Sequence, residues 1–227
     1  MRIPMISPDR RADSDELAAA VPREAVMSDL AGLAALLATN ECLINIGRQQ
    51  GRPELVQIGT AYVNHVLATE LSSWTECSKR YASPGSRLWV LCRSDRVVVG
   101  SIGVIEISSS TFELVRMYVD ASCRRCGLGR RLFGVLLDHV RSRNAHAYIT
   151  LTTPSVNTGP QAFYRSLGFL AKRSFLVSEE GWDSELEVTE MRMELPITTV
   201  TPQPPGIESD GRAADDMPDQ DITSNAN

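Results

Sequence analysis

The sequence predicts one α/β domain, in which a mixed, mostly antiparallel central sheet carries helices on both faces. Two observations support this fold class. Apolar residues recur at helical spacing in some segments, whereas other segments are short β-branched runs of the kind found in strands. The two patterns alternate along the chain, and both stop at Pro196. We therefore expect a flexible arm at 1–22, the domain at 23–196 and an acidic disordered tail at 197–227.

The first half of the chain contains mainly helical patterns. A helix is predicted after Pro22, because apolar residues recur there every three or four positions, at Val26, Leu30, Leu33 and Leu37. A second helix is predicted from 55 to about 71, on the same kind of apolar stripe. Between the two, the apolar run 42–46 is predicted to be a short strand, and a turn is expected at 80–86.

The second half begins with strand-like patterns. Strands are predicted at 88–92, 96–107, 112–119, 148–152, 174–177 and 186–195, with a hairpin turn at Ser94 and Asp95. Helices are predicted at 127–144, where apolar residues recur at helical spacing, and at 160–167, which begins with a proline. This order of helices and strands is typical of a sheet on which helices pack.

The net charge of the chain is concentrated at its C-terminal end. The 23 basic and 28 acidic residues give a net charge of −5, and residues 197–227 carry all of it, with six acidic residues and one basic residue. The rest of the chain is neutral, whereas proteins that bind the phosphate backbone of nucleic acids have an excess of basic residues. We therefore expect no nucleic-acid partner.

Signals for membranes, export and disulfides are weak. The longest apolar run, 31–38, is far shorter than the roughly 20 residues of a membrane span, and the N-terminus lacks the apolar region of a secretory signal. Five cysteines, an odd number, do not indicate a disulfide framework. We expect a cytoplasmic protein without a membrane span, as a monomer or a homodimer.

The segment 119–131 is the most informative part of the sequence. A strand ends there, a loop carries Gly127 and Gly129 together with several arginines, and a long helix begins. The start of a helix attracts anions, because its first amides are unsatisfied and its dipole end is positive, and glycines let a ligand approach the backbone. The dinucleotide motif G-x-G-x-x-G and the P-loop motif are both absent. The segment therefore predicts a pyrophosphate site.

These residues resemble the GNAT superfamily of acetyl-coenzyme A-dependent N-acetyltransferases. The family's signature loop, Arg/Gln-x-x-Gly-x-Gly/Ala, is matched by Arg124, Gly127 and Gly129. Its Asn…Ala…Phe-Tyr…Gly-Phe segment is matched by Asn157, Ala162, Phe163, Tyr164, Gly168 and Phe169. The resemblance covers roughly 88–195, and 40–87 loosely. Runs such as Leu88-Trp89-Val90 also resemble the Camello-type branch, which usually has a membrane segment before its catalytic part; this sequence shows none.

The resemblance implies a GNAT-like fold with a splay between the fourth and fifth strands, and acetyl-coenzyme A as the acyl donor. In the family, the pantetheine arm lies in this gap. Its amides would pair with backbone groups of Met117, Tyr118 and Val119, and Asn157 and Tyr164 would contact it. The pyrophosphate would be held by the loop amides of Arg124, Arg125, Cys126, Gly127, Leu128, Gly129 and Arg130. The amide of Tyr118 or Val119 would donate to the thioester oxygen.

Transfer to an amine requires a base and an acid. An alkylammonium with a pKa of about 10.4 is almost wholly protonated at neutral pH and cannot attack a thioester. Glu113, six residues before Val119, resembles the glutamate used as the base in histone-acetylating members of the family, and Glu106 is the alternative. Tyr164, a phenol with an ordinary pKa of about 10, is predicted to protonate the departing thiolate.

The predicted function is transfer of the acetyl group of acetyl-coenzyme A to an amine, by direct attack in a ternary complex. The amine belongs to a small molecule or to a protein, and these alternatives stay open. A second alternative is a module of the same fold that binds acyl-coenzyme A as a sensor or scaffold without turnover. No metal is expected, because Cys123 and Cys126 form a single C-x-x-C pair and no second Cys/His pair lies at ligand spacing.

Overall fold

The computed structural model describes residues 17, 19–178, 182 and 184–195, and seven strands of this part form one sheet. The strands are β1 (Arg23–Glu24), β2 (Arg87–Cys92), β3 (Val98–Ser108), β4 (Thr111–Val119), β5 (Tyr148–Pro154), β6 (Leu170–Val177) and β7 (Leu186–Glu194). Their order is β1-β2-β3-β4-β5-β7-β6, and all neighbours are antiparallel except the parallel pair of β4 and β5. The predicted mixed, mostly antiparallel sheet is therefore confirmed.

The described helices are α1 (Leu30–Asn40), α2 (Cys42–Gln50), α3 (Pro53–Ala68), α4 (Trp74–Arg80), α5 (Leu128–Arg143) and α6 (Thr158–Ser166). Single turns of 3₁₀ helix occupy Met27–Asp29 and Ala121–Cys123. Helices α1, α3 and α5 confirm the three helices predicted from apolar spacing, and α6 confirms the helix predicted from its proline, with ends that differ by a few residues. The predicted acidic tail at 197–227 lies outside the described residues, as do residues 1–16 and 18 of the predicted arm.

Strand β2 shows why helices lie on both faces of the sheet. Trp89 and Leu91 pack into one apolar core with α5, whereas Leu88 and Val90 pack into a second core with α1 and α3. Successive side chains of a strand point to opposite faces, so burial of all four requires cover on both sides. The prediction of helices on both faces is confirmed.

Strands β4 and β5 diverge along their length. Their parallel pairing is limited to 111–113 with 148–150, so the remainder of β4 leaves β5. Strand β4 also bulges where its register against β3 shifts, and Arg116 there has a φ of 53°. The Ser101 hydroxyl donates to the Arg116 carbonyl at 2.8 Å across this bulge. The predicted splay is confirmed. The bulge changes the direction of the β4 backbone next to this gap.

Residues 42–46 do not form the predicted strand, because they begin helix α2. The Glu41 carboxylate accepts a hydrogen bond from the Leu43 amide at 3.1 Å and caps this helix, which ends at Gly51 with a φ of 64°. A short apolar run alone does not distinguish a strand from part of a buried helix. The prediction was wrong for that reason.

Two short elements were not predicted. Strand β1 contributes only two residues, which pair with β2. Helix α4 has seven residues and starts where the Ser73 hydroxyl accepts a hydrogen bond from the Glu76 amide at 3.2 Å. In addition, Leu17 falls in the predicted arm but is buried at 4% exposure in the core that contains α5. The folded domain therefore includes residues before 23.

The segment 27–50 has the length and composition of a membrane-spanning helix, with a mean hydropathy of 1.4. Polar residues divide it into shorter apolar runs, which is why no run of that length was expected. In the structure, Glu41 is extended, with φ −62° and ψ 119°, and separates α1 from α2. Leu33, Leu37 and Leu43 are buried in the apolar cores of the domain. These three leucines therefore serve the packing of the segment within the domain.

Candidate active site

The residues predicted to contact the coenzyme lie around the gap between β4 and β5. Met117, Tyr118 and Val119 form the last part of β4, beyond its pairing with β5. Asn157 and Tyr164 belong to the segment after β5, at the start of α6 and within it. The splay thus brings together two motifs that are far apart in the sequence.

The loop after β4 presents backbone amides where it enters α5. Gly127 is left-handed, with a φ of 78°, and no side chain caps the helix. Among the described residues, the first hydrogen bond of the helix runs from the Arg131 amide to the Gly127 carbonyl at 3.1 Å. The amides of the three preceding residues, 128–130, are available to an anion, and a left-handed residue before helical ones forms a concave nest of amides. This geometry supports the predicted pyrophosphate site.

The two glycines of the loop have different roles. A Cβ on Gly127 would meet no atom within 4 Å, so glycine is required there by the positive φ alone. A Cβ on Gly129 would lie 3.1 Å from the Phe163 side chain and 3.3 Å from the Met117 side chain. Gly129 therefore allows α5 to pack closely against α6 and β4.

Arg124 holds the loop to its surroundings. Its Nε donates to the Val119 carbonyl and its Nη2 donates to Asn40 Oδ1, both at 3.1 Å. The loop is thereby tied to the end of β4 and to the C-terminal end of α1. Arg125 is exposed and has a φ of 69°, a left-handed conformation that is rare outside glycine.

The two arginines of the first helical turn also contact protein acceptors. Arg130 donates to Ser166 Oγ at 3.0 Å. Arg131 donates to the carbonyls of Leu17 and Ala20, at 2.9 and 2.5 Å. Most of the arginine cluster seen in the sequence therefore stabilises the loop and the N-terminal segment, which leaves anion binding chiefly to backbone amides.

Asn157 and Tyr164 lie beside the thiol of Cys42. Asn157 is 4% exposed, and its side-chain amide donates to Cys42 Sγ at 2.8 Å. Tyr164 is 8% exposed, and its ring meets the edge of Phe169 at 5.8 Å between centroids. Burial and the neighbouring Cys42 raise the pKa of Tyr164, so the phenol is protonated at neutral pH. Burial also raises the pKa of Cys42, which disfavours the nucleophilic thiolate.

Glu41, which was not predicted, contacts the same group of residues. Its carboxylate is 4% exposed and accepts hydrogen bonds from the Leu43 amide at 3.1 Å, the Cys42 thiol at 3.3 Å and the Tyr118 hydroxyl at 3.4 Å. Burial raises the pKa of Glu41 despite these hydrogen bonds. No motif identifies this residue. Because 42–46 was predicted to be a strand, the position of Glu41 between two helices could not be recognised from the sequence.

A second buried carboxylate, Glu70, holds the bulge of β4. The Arg116 Nε donates to the two Glu70 oxygens at 3.2 and 3.1 Å, and the Arg116 guanidinium also donates to the Tyr62 hydroxyl. Arg80 pairs with Glu70 at 3.0 Å, and the Tyr81 hydroxyl donates to it at 3.1 Å. This network fixes the side chain of the one β4 residue whose φ is positive.

Comparison with known proteins places this arrangement in a family. The model of the acetyltransferase (GNAT) family matches residues 57–169, which include both motifs. The chain belongs to the GNAT acetyltransferase family. No curated protein matches its sequence.

Solved structures of acetyltransferases share the fold. A GNAT-family acetyltransferase from Staphylococcus aureus Mu50 aligns with a TM-score of 0.59 at 18% identity, over 78% of this chain and 100% of its own. The ribosomal-protein-S18-alanine N-acetyltransferase from Escherichia coli gives 0.55 at 15% identity, over 80% and 97%. An acetyltransferase from Salmonella typhimurium, solved with its cofactor acetyl-coenzyme A, gives 0.52 at 20% identity, over 87% and 98%.

The two carboxylates predicted as bases have different surroundings in this GNAT domain. Glu113 is half-buried on β4, where that strand still pairs with both neighbours. Glu106 accepts hydrogen bonds from the Ser83 hydroxyl at 2.6 Å and the Gly85 amide at 2.9 Å, which lower its pKa. These bonds hold the turn before β2, so Glu106 has a structural role. The role of Glu113 as the base stays a prediction.

The predicted site residues offer backbone amides, tyrosine hydroxyls and a carboxyl group. The described part of the chain contains no group of three or more His, Cys, Asp or Glu residues that could hold a metal ion. In the C-x-x-C pair, Cys123 is buried, Cys126 is exposed, and both are free thiols.

Proposed function

We propose that this protein transfers the acetyl group of acetyl-coenzyme A to the amine of a small molecule or a protein, by direct attack within a ternary complex. The observation that carries the proposal is the meeting of two motifs at one gap: the available amides in the first turn of α5, and the buried Asn157 and Tyr164 of the α6 segment. GNAT acetyltransferases use acetyl-coenzyme A, and one structure with this fold contains it.

The residues present fit this coenzyme. The left-handed Gly127 and the amides that follow it form a concavity for the pyrophosphate. Residues 117–119 lie on the part of β4 that has left β5, so their backbone groups can pair with the pantetheine amides. When bound, acetyl-coenzyme A supplies a thioester that an amine can attack.

Tyr164 is proposed to assist departure of the thiol. Its phenol is protonated at neutral pH even at the ordinary tyrosine pKa of about 10, and burial raises that pKa further. It can donate a hydrogen bond to sulfur as the C–S bond breaks. The proton that it gives to sulfur is replaced by one from the newly acylated nitrogen, which is strongly acidic while protonated. The amide of Tyr118 or Val119 is proposed to donate to the carbonyl oxygen as negative charge develops on it.

Thiol release from acetyl-coenzyme A tests the proposal. The assay uses a panel of primary alkylamines, amino acids and peptides with free N-termini, and mass spectrometry identifies the acetylated amine. We expect release that requires both the protein and an amine. Calorimetry with coenzyme A measures binding separately. Tight binding without release for any amine would support the sensor or scaffold alternative.

A further inference from the structure

Two buried carboxyl groups flank Tyr62, and they differ in their charge environment. Glu70 forms ion pairs with Arg80 and Arg116. Glu41 is just as buried, at 4% exposure, and forms no ion pair with a Lys or Arg among the described residues. An ionised buried carboxylate without a cation is costly, and a cationic ligand would offset that cost. Glu41 is therefore a candidate partner for an ammonium group.

A role as a helix cap accounts for only part of the Glu41 contacts. Its Oε1 accepts from the Leu43 amide, which caps α2, and also from the Cys42 thiol at 3.3 Å. Its Oε2 accepts from the Tyr118 hydroxyl at 3.4 Å instead. A glutamine would supply the same capping oxygen in the same volume, so capping does not explain the ionisable group.

The contacts of Glu41 place it beside the predicted chemistry. Tyr118 lies on the part of β4 that has left β5, where the thioester is proposed to bind. The adjacent Cys42 accepts the Asn157 hydrogen bond and lies close enough to Tyr164 to raise the pKa of that phenol. Glu113 lies five residues before Tyr118, or roughly 15 Å along an extended strand.

We propose that Glu41 is the terminal acceptor of the proton that the acceptor amine must lose, relayed through the hydroxyl of Tyr118. This inference rests on the proposed N-acetylation. The ammonium gives a proton to the Tyr118 oxygen while the Tyr118 O–H proton passes to Glu41 Oε2, so the hydroxyl is regenerated and the carboxylate becomes neutral. Hydrogen bonds of such relays are often long before substrate binds.

The remaining steps balance the transfer. The freed nitrogen lone pair attacks the carbonyl carbon, the N–C bond forms, and the C–S bond breaks with its electron pair on sulfur. The second nitrogen proton reaches the thiolate by way of Tyr164. Glu41 returns its proton to solvent after the acetylated amine and coenzyme A leave.

The surroundings of Glu41 set the direction of the pH dependence. The groups that face it are Cys42 on α2, Tyr62 on α3 and Tyr118 on β4, and burial raises the pKa of all three, so they are neutral at pH 7. Burial also raises the pKa of Glu41, the direction that suits a base acting near neutral pH. Activity should fall as the pH drops through this raised pKa, because a protonated Glu41 accepts no further proton.

The experiment compares Glu41→Gln and Tyr118→Phe with the wild-type protein, using acetyl-coenzyme A and the most reactive amine of the panel. The control is Glu54→Gln, since Glu54 is a half-exposed carboxylate in the first turn of α3 that pairs with Arg52 at 2.7 Å. Melting temperature and coenzyme A affinity report on folding. The profile of kcat/KM is measured from about pH 6 to pH 10, below the ordinary pKa of an alkylamine.

We expect Glu41→Gln to lower kcat/KM about 100-fold at neutral pH and to shift the rising limb of the profile toward the pKa of the amine. Tyr118→Phe should shift the rising limb in the same direction, and the pH profile of Glu54→Gln should match that of the wild type. If the wild type is active and the pH profile of kcat/KM is unchanged in Glu41→Gln, the inference is overturned. It is also overturned if the rising limb of the profile is lost in Glu113→Gln and kept in Glu41→Gln. A wild type that releases thiol with no amine overturns both this inference and the proposed function.

Discussion

Replacement of Glu70 by glutamine would remove the charge that neutralises Arg116 at the bulge of β4. The side chains of this pair are 6% and 15% exposed. Removing one partner of a buried ion pair typically costs about 3–5 kcal/mol, because the other charge is left uncompensated. Arg116 would keep its hydrogen bond to Tyr62, and glutamine would still accept from Tyr81. We therefore expect a loss at the lower end, about 3 kcal/mol of unfolding free energy.

Urea unfolding and thermal melting measure this loss directly. For a domain of this size, about 3 kcal/mol corresponds to a decrease of roughly 6–12 °C in the melting temperature. Glu76→Gln is the matched control, since Glu76 forms an exposed pair with Lys79 at 2.6 Å. Such surface pairs contribute at most about 1 kcal/mol. The turnover of Glu70→Gln should also fall, because the bulge orients the β4 backbone proposed to hold the thioester.

Two results would refute this reasoning. A stability loss in Glu70→Gln no larger than that in Glu76→Gln would show that the ion pair does not hold the bulge. A large stability loss with unchanged turnover at a temperature where the variant is folded would show that the bulge geometry does not matter for the chemistry.

The other predictions concern Tyr164 and Gly127. Tyr164→Phe should lower turnover roughly tenfold or more with little change in coenzyme A affinity. The control is Tyr148→Phe, which should have no effect; the Tyr148 ring is covered by the Arg192 guanidinium at 3.5 Å. Equal turnover in the two variants would contradict the acid role of Tyr164. Gly127→Ala should cost about 1–2 kcal/mol by urea unfolding, because its φ of 78° is unfavourable for alanine, and should weaken coenzyme A binding in calorimetry. Gly134→Ala, within α5 and likewise with open space at its Cβ but without a positive φ, should instead be neutral or stabilising by up to about 1 kcal/mol.

Most of the secondary structure could be predicted from the sequence, because the period of its apolar residues is unambiguous. Helix α5 carries an apolar stripe long enough to identify its period, and its predicted ends lie within one residue of those observed. Helix α2 could not be identified in this way, because its apolar residues are few and its start depends on the Glu41 side chain. Strand β1 has only two residues, and its formation depends on pairing with β2, which lies far away in the sequence.

The residues of the candidate site also fall into those that the sequence could predict and those that it could not. Gly127, Asn157 and Tyr164 could be predicted because they belong to segments whose spacing is characteristic. The burial of Glu41 and the ion pair of Arg116 could not, because each depends on contacts between residues distant in the sequence. The charge count was similarly incomplete, since it did not show that Arg131 donates to carbonyls of the N-terminal segment.

The corner between α1 and α2 connects all parts of the proposed site. Its three consecutive residues contact three different elements: Asn40 accepts from Arg124 of the loop, Glu41 accepts from Tyr118 of β4, and Cys42 accepts from Asn157 of the α6 segment. Because these residues adjoin one another in the chain, the corner fixes the distances between the loop, the strand and the helix that surround the gap. Helices α1 and α2 therefore do more than cover one face of the sheet. Through this corner they position the groups on which coenzyme binding and proton transfer are proposed to depend.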